Sequence, residues 1–108
     1  MKHEDFDKML MEQLDTIKRV LSSKAKEYAT DDRLHNFKRA ARVSEETAAK
    51  ALKGMVLKHL VSVFDLIDAY DPESKKPQFS KELIDEKITD ILNYFILLKG
   101  LFMEQHLK

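Results

Sequence analysis

In the segment DEKITDILNYFILLKGLF, residues 85–102, Asp90 and Asn93 interrupt a run that is otherwise almost wholly apolar after Lys87, and Glu86 stands one turn before them. They stand four and three residues apart, so on a helix they share one narrow stripe, and Glu82 extends it by a turn. A second stripe lies in KGMVLKHLVSVFDLIDAY, residues 53–70, where Lys58, Ser62 and Asp65 repeat the spacing and Asp68 stands one turn further on. Acids set in apolar helices need partners, because an unpaired buried carboxylate is costly or takes a proton. Basic side chains of the same fold are one answer, for instance Lys58 or Lys24 against Asp90, and a solvated helix face is another. A divalent cation is a third, since Mg²⁺ takes hard oxygen ligands and is commonly held by a few carboxylates, phosphates and water. Asn93 suits such a site as a neutral ligand or as a hydrogen-bond partner for a bound molecule.

A cationic cluster lies upstream. Between Arg33 and Val43 there are four cations, Arg33, Lys38, Arg39 and Arg42, together with His35 and no acid. Lys24, Glu27 and Tyr28 precede this stretch and Asn36 lies within it, so these residues gather around one loop. Cations concentrated in this way offset phosphate charge when they are not simply solvated. His59 has no second His at ligand spacing and reads as a hydrogen-bonded core or interface histidine. The chain lacks a Gly-rich phosphate loop, a nucleophile elbow and a zinc pattern, which argues against P-loop and hydrolase-triad chemistry.

The elements that must position these residues follow from periodicity. Phe6, Met9, Leu10, Leu14, Ile17, Val20 and Leu21 recur at helical spacing and predict one amphipathic helix over residues 5–28. The period fades in ATDDRLH, residues 29–35. A short helix follows in NFKRAARV, with Asn36 as its expected cap and Phe37, Ala40 and Ala41 facing inward. Ser44 ahead of Glu45 and Glu46 predicts the start of a third helix that runs to about residue 70. That helix is apolar on most of its circumference, which places it centrally or shares it with another subunit. The prolines and charges of residues 71–79 mark an exposed loop, and Ser80 caps a last helix over residues 81–106. The expected fold class is all-α, a single domain built as a bundle of three long helices plus a short one.

Composition narrows the function classes. A chain of 108 residues holds one core but sits near the size at which association helps, so a homo-oligomer is expected. Lys and Arg number 19, as do Asp and Glu, which leaves no global field to collect nucleic acid or an anionic membrane. The absence of Cys excludes disulfide staples and thiolate chemistry. The charged start MKHEDFDKMLMEQ has no apolar segment of signal-peptide length, and no apolar run is long enough to span a bilayer, so an untargeted intracellular protein is expected.

Three blocks, KAKEYATDDRLHNFKRAA, KHLVSVFDLID and DEKITDILNYFILL, together resemble the small phage and prophage proteins grouped as a nucleotide modification associated domain. Those proteins are relatives of the MazG-like all-α nucleoside triphosphate pyrophosphatases. The resemblance covers roughly residues 15–103 and rests on the order and spacing of the blocks. It implies a dimeric or tetrameric helical bundle in a bacterial host cytoplasm, binding nucleotides through Mg²⁺ and hydrolysing a triphosphate to monophosphate and pyrophosphate. By position it implies Glu86 and Asp90 as metal ligands with Asn93 beside them, and Asp65 and Asp68 as ligands from the preceding helix. Lys24, Lys38 or Arg39 would then stabilise phosphate charge, and Tyr28 or Phe37 would stack on the base. The chain differs from the pattern at Lys87, where those enzymes carry Glu, and in having His59, Ser62, Asp65 and Asp68 where they carry a dense glutamate repeat. Binding without turnover, or a helical interaction protein whose acids pair internally, are the alternative readings of the same residues.

Overall fold

The computed structural model describes residues 1–25 and 31–107, which form two compact units, Met1–Arg33 and Leu34–Lys108. The described residues are helical and contain no strand. The first unit is dominated by α1, His3–Ala25, which opens with Glu4 and Asp5 and closes with Lys24, the arrangement that complements a helix dipole. Its apolar stripe keeps Phe6, Met9, Leu10 and Leu14 exposed. The expected continuation of this helix to residue 28 lies outside the described residues.

The second unit is a small bundle of α2 (His35–Ser44), α3 (Ala48–Ala69) and α4 (Lys81–Met103), ending in a single 3₁₀ turn, Glu104–His106. α3 packs against both α2 and α4. Leu34, Phe37 and Leu52 make the core, with Met55 of α3 and Tyr94, Leu97, Leu98 and Leu101 of α4 closing on it. Leu52 is the most deeply buried of them, 2% exposed.

Two expected caps are corrected by this packing. Asn36 does not start α2; Leu34 occupies the N-cap without a side-chain bond, and its carbonyl accepts from the N–H groups of Phe37 and Lys38 at 3.1 and 3.2 Å. Burial of Leu34 beside Phe37 sets the helix entry, and Asn36 is left exposed in the first turn. Ser44 does not start α3 either. It is the last residue of α2, after which Glu45 turns into the left-handed region at φ 54° and the N–H of Glu46 donates to the Ala41 carbonyl at 2.9 Å. This is a Schellman closure with Glu where Gly is usual. Thr47 caps α3 instead, its hydroxyl accepting from the Lys50 N–H at 3.2 Å.

The α3–α4 connection is the expected loop. Asp71 Oδ1 accepts from the Glu73 N–H at 2.9 Å, the Asp71 N–H donates to Gln78 Oε1 at 2.7 Å, and the Gln78 amide donates to the Ala69 carbonyl. These bonds bring the two helix ends together. Ser80 caps α4 as the sequence predicts, accepting from the Leu83 N–H at 3.1 Å. No helix among the described residues is long and apolar enough to cross a membrane.

Candidate functional site

α3 and α4 run antiparallel, so the middle of one lies against the middle of the other, and their polar residues meet there. His59 Nδ1 stands 3.8 Å from Asp90 Oδ2, with both side chains half-buried. The His59 ring is tilted by 37° against Tyr94, with ring centroids 5.0 Å apart. Asp90 and Tyr94 are one turn apart on the same face of α4, so both reach His59 from that helix. His59, expected to be a hydrogen-bonded core or interface histidine, is half-buried here, and at 3.8 Å its ring faces Asp90 without a direct hydrogen bond. The residue that faces Asp90 is thus His59, next along the chain from Lys58.

Tyr94 also lines a cleft of about 380 Å³ between α2, α3 and α4, with Ser44, Glu46, Gly54, Met55 and Lys58 on the other walls. This volume lies within the range of small-molecule sites, about 300–1,000 Å³. Gly54 opens the α3 wall, since a Cβ there would meet nothing within 4 Å. Lys58 is exposed and has no ion-pair partner among the described residues. The cleft therefore offers a cation, a hydroxyl, a carboxylate and an aromatic face around one bare stretch of helix.

Asn93 has a different environment. It is 6% exposed, and its Oδ1 is buried with no hydrogen-bond partner among the described residues. An unsatisfied buried acceptor costs about 1–3 kcal/mol, which a ligand's donor, a cation or ordered water would offset. Glu86 lies on the same stripe of α4 and is exposed.

The remaining sequence-derived residues are scattered. Asp65 and Asp68 are exposed on α3. Asp68 follows His59 by nine residues, about two and a half turns, which points it away from the α4-facing side. Among the described residues no three or more His, Asp or Glu side chains are grouped to hold a metal ion. Lys38 is tied to Glu104 of the terminal turn at 2.7 Å, while Arg39 and Asn36 are exposed on α2. Lys24 is exposed on α1, in the other unit. Glu27 and Tyr28 lie outside the described residues.

The cleft residues Ser44, Glu46, Gly54 and Tyr94 were not legible as a group, because three helices and the turn between α2 and α3 contribute them. Gly54 alone left a trace, as a glycine with no turn to justify it inside a helical run. No family model, no curated protein and no solved structure matches this chain.

Proposed function

We propose that this chain binds a nucleotide, taken with Mg²⁺, in the cleft beside Tyr94. The observation that carries the reading is the double role of Tyr94, which lines the cleft and also contacts the His59 ring that faces Asp90. A ligand seated there has an aromatic face for a base, Lys58 and the Ser44 hydroxyl for phosphate oxygens, and one acid of α4, Asp90, about one helix turn from Tyr94. The resemblance to nucleotide modification associated proteins agrees with this ligand class and suggests phage or prophage nucleotide metabolism as its setting.

The residues fit Mg²⁺ only as an ion shared with phosphates. Glu86 and Asp90 would supply two carboxylates, and the Asn93 Oδ1, which has no partner among the described residues, would supply a neutral oxygen. One or two carboxylates plus substrate phosphates is how this ion is commonly held. Asp65 and Asp68 are left out of that set because of their position on α3.

A second reading, hydrolysis of the nucleotide to monophosphate and pyrophosphate, draws on the Asp90–His59 contact. At 3.8 Å the Asp90 carboxylate faces Nδ1 without a direct hydrogen bond, so this reading requires the two groups to draw together when the ligand binds. Calorimetric titration of nucleoside triphosphates, with and without Mg²⁺, tests binding, and release of pyrophosphate tests turnover. Binding that Mg²⁺ strengthens and that Lys58→Ala weakens by about tenfold, about 1.4 kcal/mol, is the expected result. Absence of binding heat under either condition would discard the proposal.

A further inference from the structure

α3 has a face that α2 and α4 leave bare. Leu57, Val61 and Phe64 are 60%, 50% and 54% exposed, and their spacing of four and three puts them on one stripe. The stripe lies on the opposite side of α3 from Leu52 and His59, which face the bundle. Towards the C-terminal end Ile67, 63% exposed, joins it to an apolar cavity of about 250 Å³ shared with Leu66, Tyr70, Ile84 and Ile88. An apolar patch of this continuity on a helix marks an interaction surface.

The charges around the stripe say what covers it. Lys50, Lys53 and Lys58 all lie in the N-terminal part of α3, and its only acids, Asp65 and Asp68, lie near the C-terminal end. All five are exposed and none has an ion-pair partner among the described residues. For an isolated helix this order is unfavourable, since cations stand near the positive end of the dipole and anions near the negative end. Neither terminal turn carries a compensating charge. The same order becomes favourable against an identical helix running the other way. Lys50 and Lys53 lie on the N-terminal extension of the stripe and Asp68 on its C-terminal extension, so reversal brings lysines opposite aspartates at both ends.

We propose that two copies of this chain associate through this face, α3 antiparallel to α3 about a twofold axis near Val61. Leu57 then packs against Val61 and Phe64 of the second copy, and Lys53 of each chain meets the Asp65 and Asp68 end of the other. The contact is isologous, so each favourable pair occurs twice. Flanking charges of this kind set orientation and register as the edge positions of a coiled coil do.

Sedimentation equilibrium of the full chain over micromolar concentrations tests the pairing, with circular dichroism confirming that each variant is folded. The wild type is expected to dimerise. Val61→Glu and the single reversal Lys53→Glu are each expected to weaken the dimer by at least about tenfold. The double reversal Lys53→Glu with Asp68→Lys is expected to recover most of the loss, because it exchanges the signs of both ends. A wild-type monomer at all concentrations overturns the proposal, as does a dimer indifferent to Val61→Glu. A dimer weakened by Lys53→Glu but not recovered by the double reversal overturns the antiparallel register.

Discussion

Gly54→Ala separates stability from binding at one position. Gly54 lies inside α3, exposed on the cleft wall, and a Cβ there would meet nothing within 4 Å. The new methyl group neither clashes nor packs, so its stability effect reduces to helix propensity. That is a gain of about 1 kcal/mol for Ala over Gly in a helix interior. For a chain of this size it raises Tm by about 5 °C. Urea unfolding at one fixed protein concentration is the assay, because self-association would otherwise move the midpoint by mass action. The same methyl group occupies the opening in the cleft wall, so nucleotide affinity should fall while stability rises. Gly100→Ala is the matched control. Its Cβ would meet the Leu34 Cδ2 and Cδ1 atoms at 3.7 and 3.8 Å, ordinary contact distances, so it should stabilise at least as much and leave binding alone. A Gly54→Ala protein no more stable than wild type would refute the description of α3. A stabilised protein with unchanged nucleotide affinity would refute the cleft as the site.

Glu45→Gly should stabilise the bundle by about 1 kcal/mol, since Glu45 holds a left-handed conformation at φ 54° that costs an L residue about that much; a urea midpoint that does not rise would count against the observed α2 terminus. Leu52→Ala removes the most buried core side chain and should cost about 2–5 kcal/mol, measured in the same way. Ser80→Ala should cost about 1 kcal/mol through loss of the bond to the Leu83 N–H, and Ser44→Ala should cost far less because Ser44 caps no helix. Glu104→Gln breaks the part-exposed pair with Lys38, and because solvent screens that pair the loss should stay within about 1 kcal/mol and shrink as salt is raised.

The helices were legible because their signals are local. The apolar period runs through all four, and Ser80 announces α4 by a hydroxyl three residues before the N–H it accepts from. The misread boundaries both sit where tertiary packing overrode a local preference. Leu34 took the N-cap from Asn36 because the core needed its side chain, and Glu45 accepted a left-handed conformation that composition gives no reason to assign to glutamate. The stripe on α4 was visible as a pattern, and Asn93 is indeed buried within it. What faced it was not visible. Lys58 and His59 are neighbours in sequence about 100° apart on the helix, and only the rotation of α3 against α4 decides which of them meets Asp90. The apolar circumference of α3 was equally plain, but packing alone divides it into a buried side at Leu52 and a bare side at Val61.

Backbone amide shift mapping of the full chain, titrated with ATP and then with the four deoxynucleoside triphosphates in the presence of Mg²⁺, tests nucleotide binding at the cleft most directly. The expected result is a saturable set of displacements centred on Gly54, Lys58, His59, Asp90, Asn93 and Tyr94, reduced when Mg²⁺ is withheld. No displacement with any of these nucleotides at millimolar concentration, or displacements confined to α1, would contradict it.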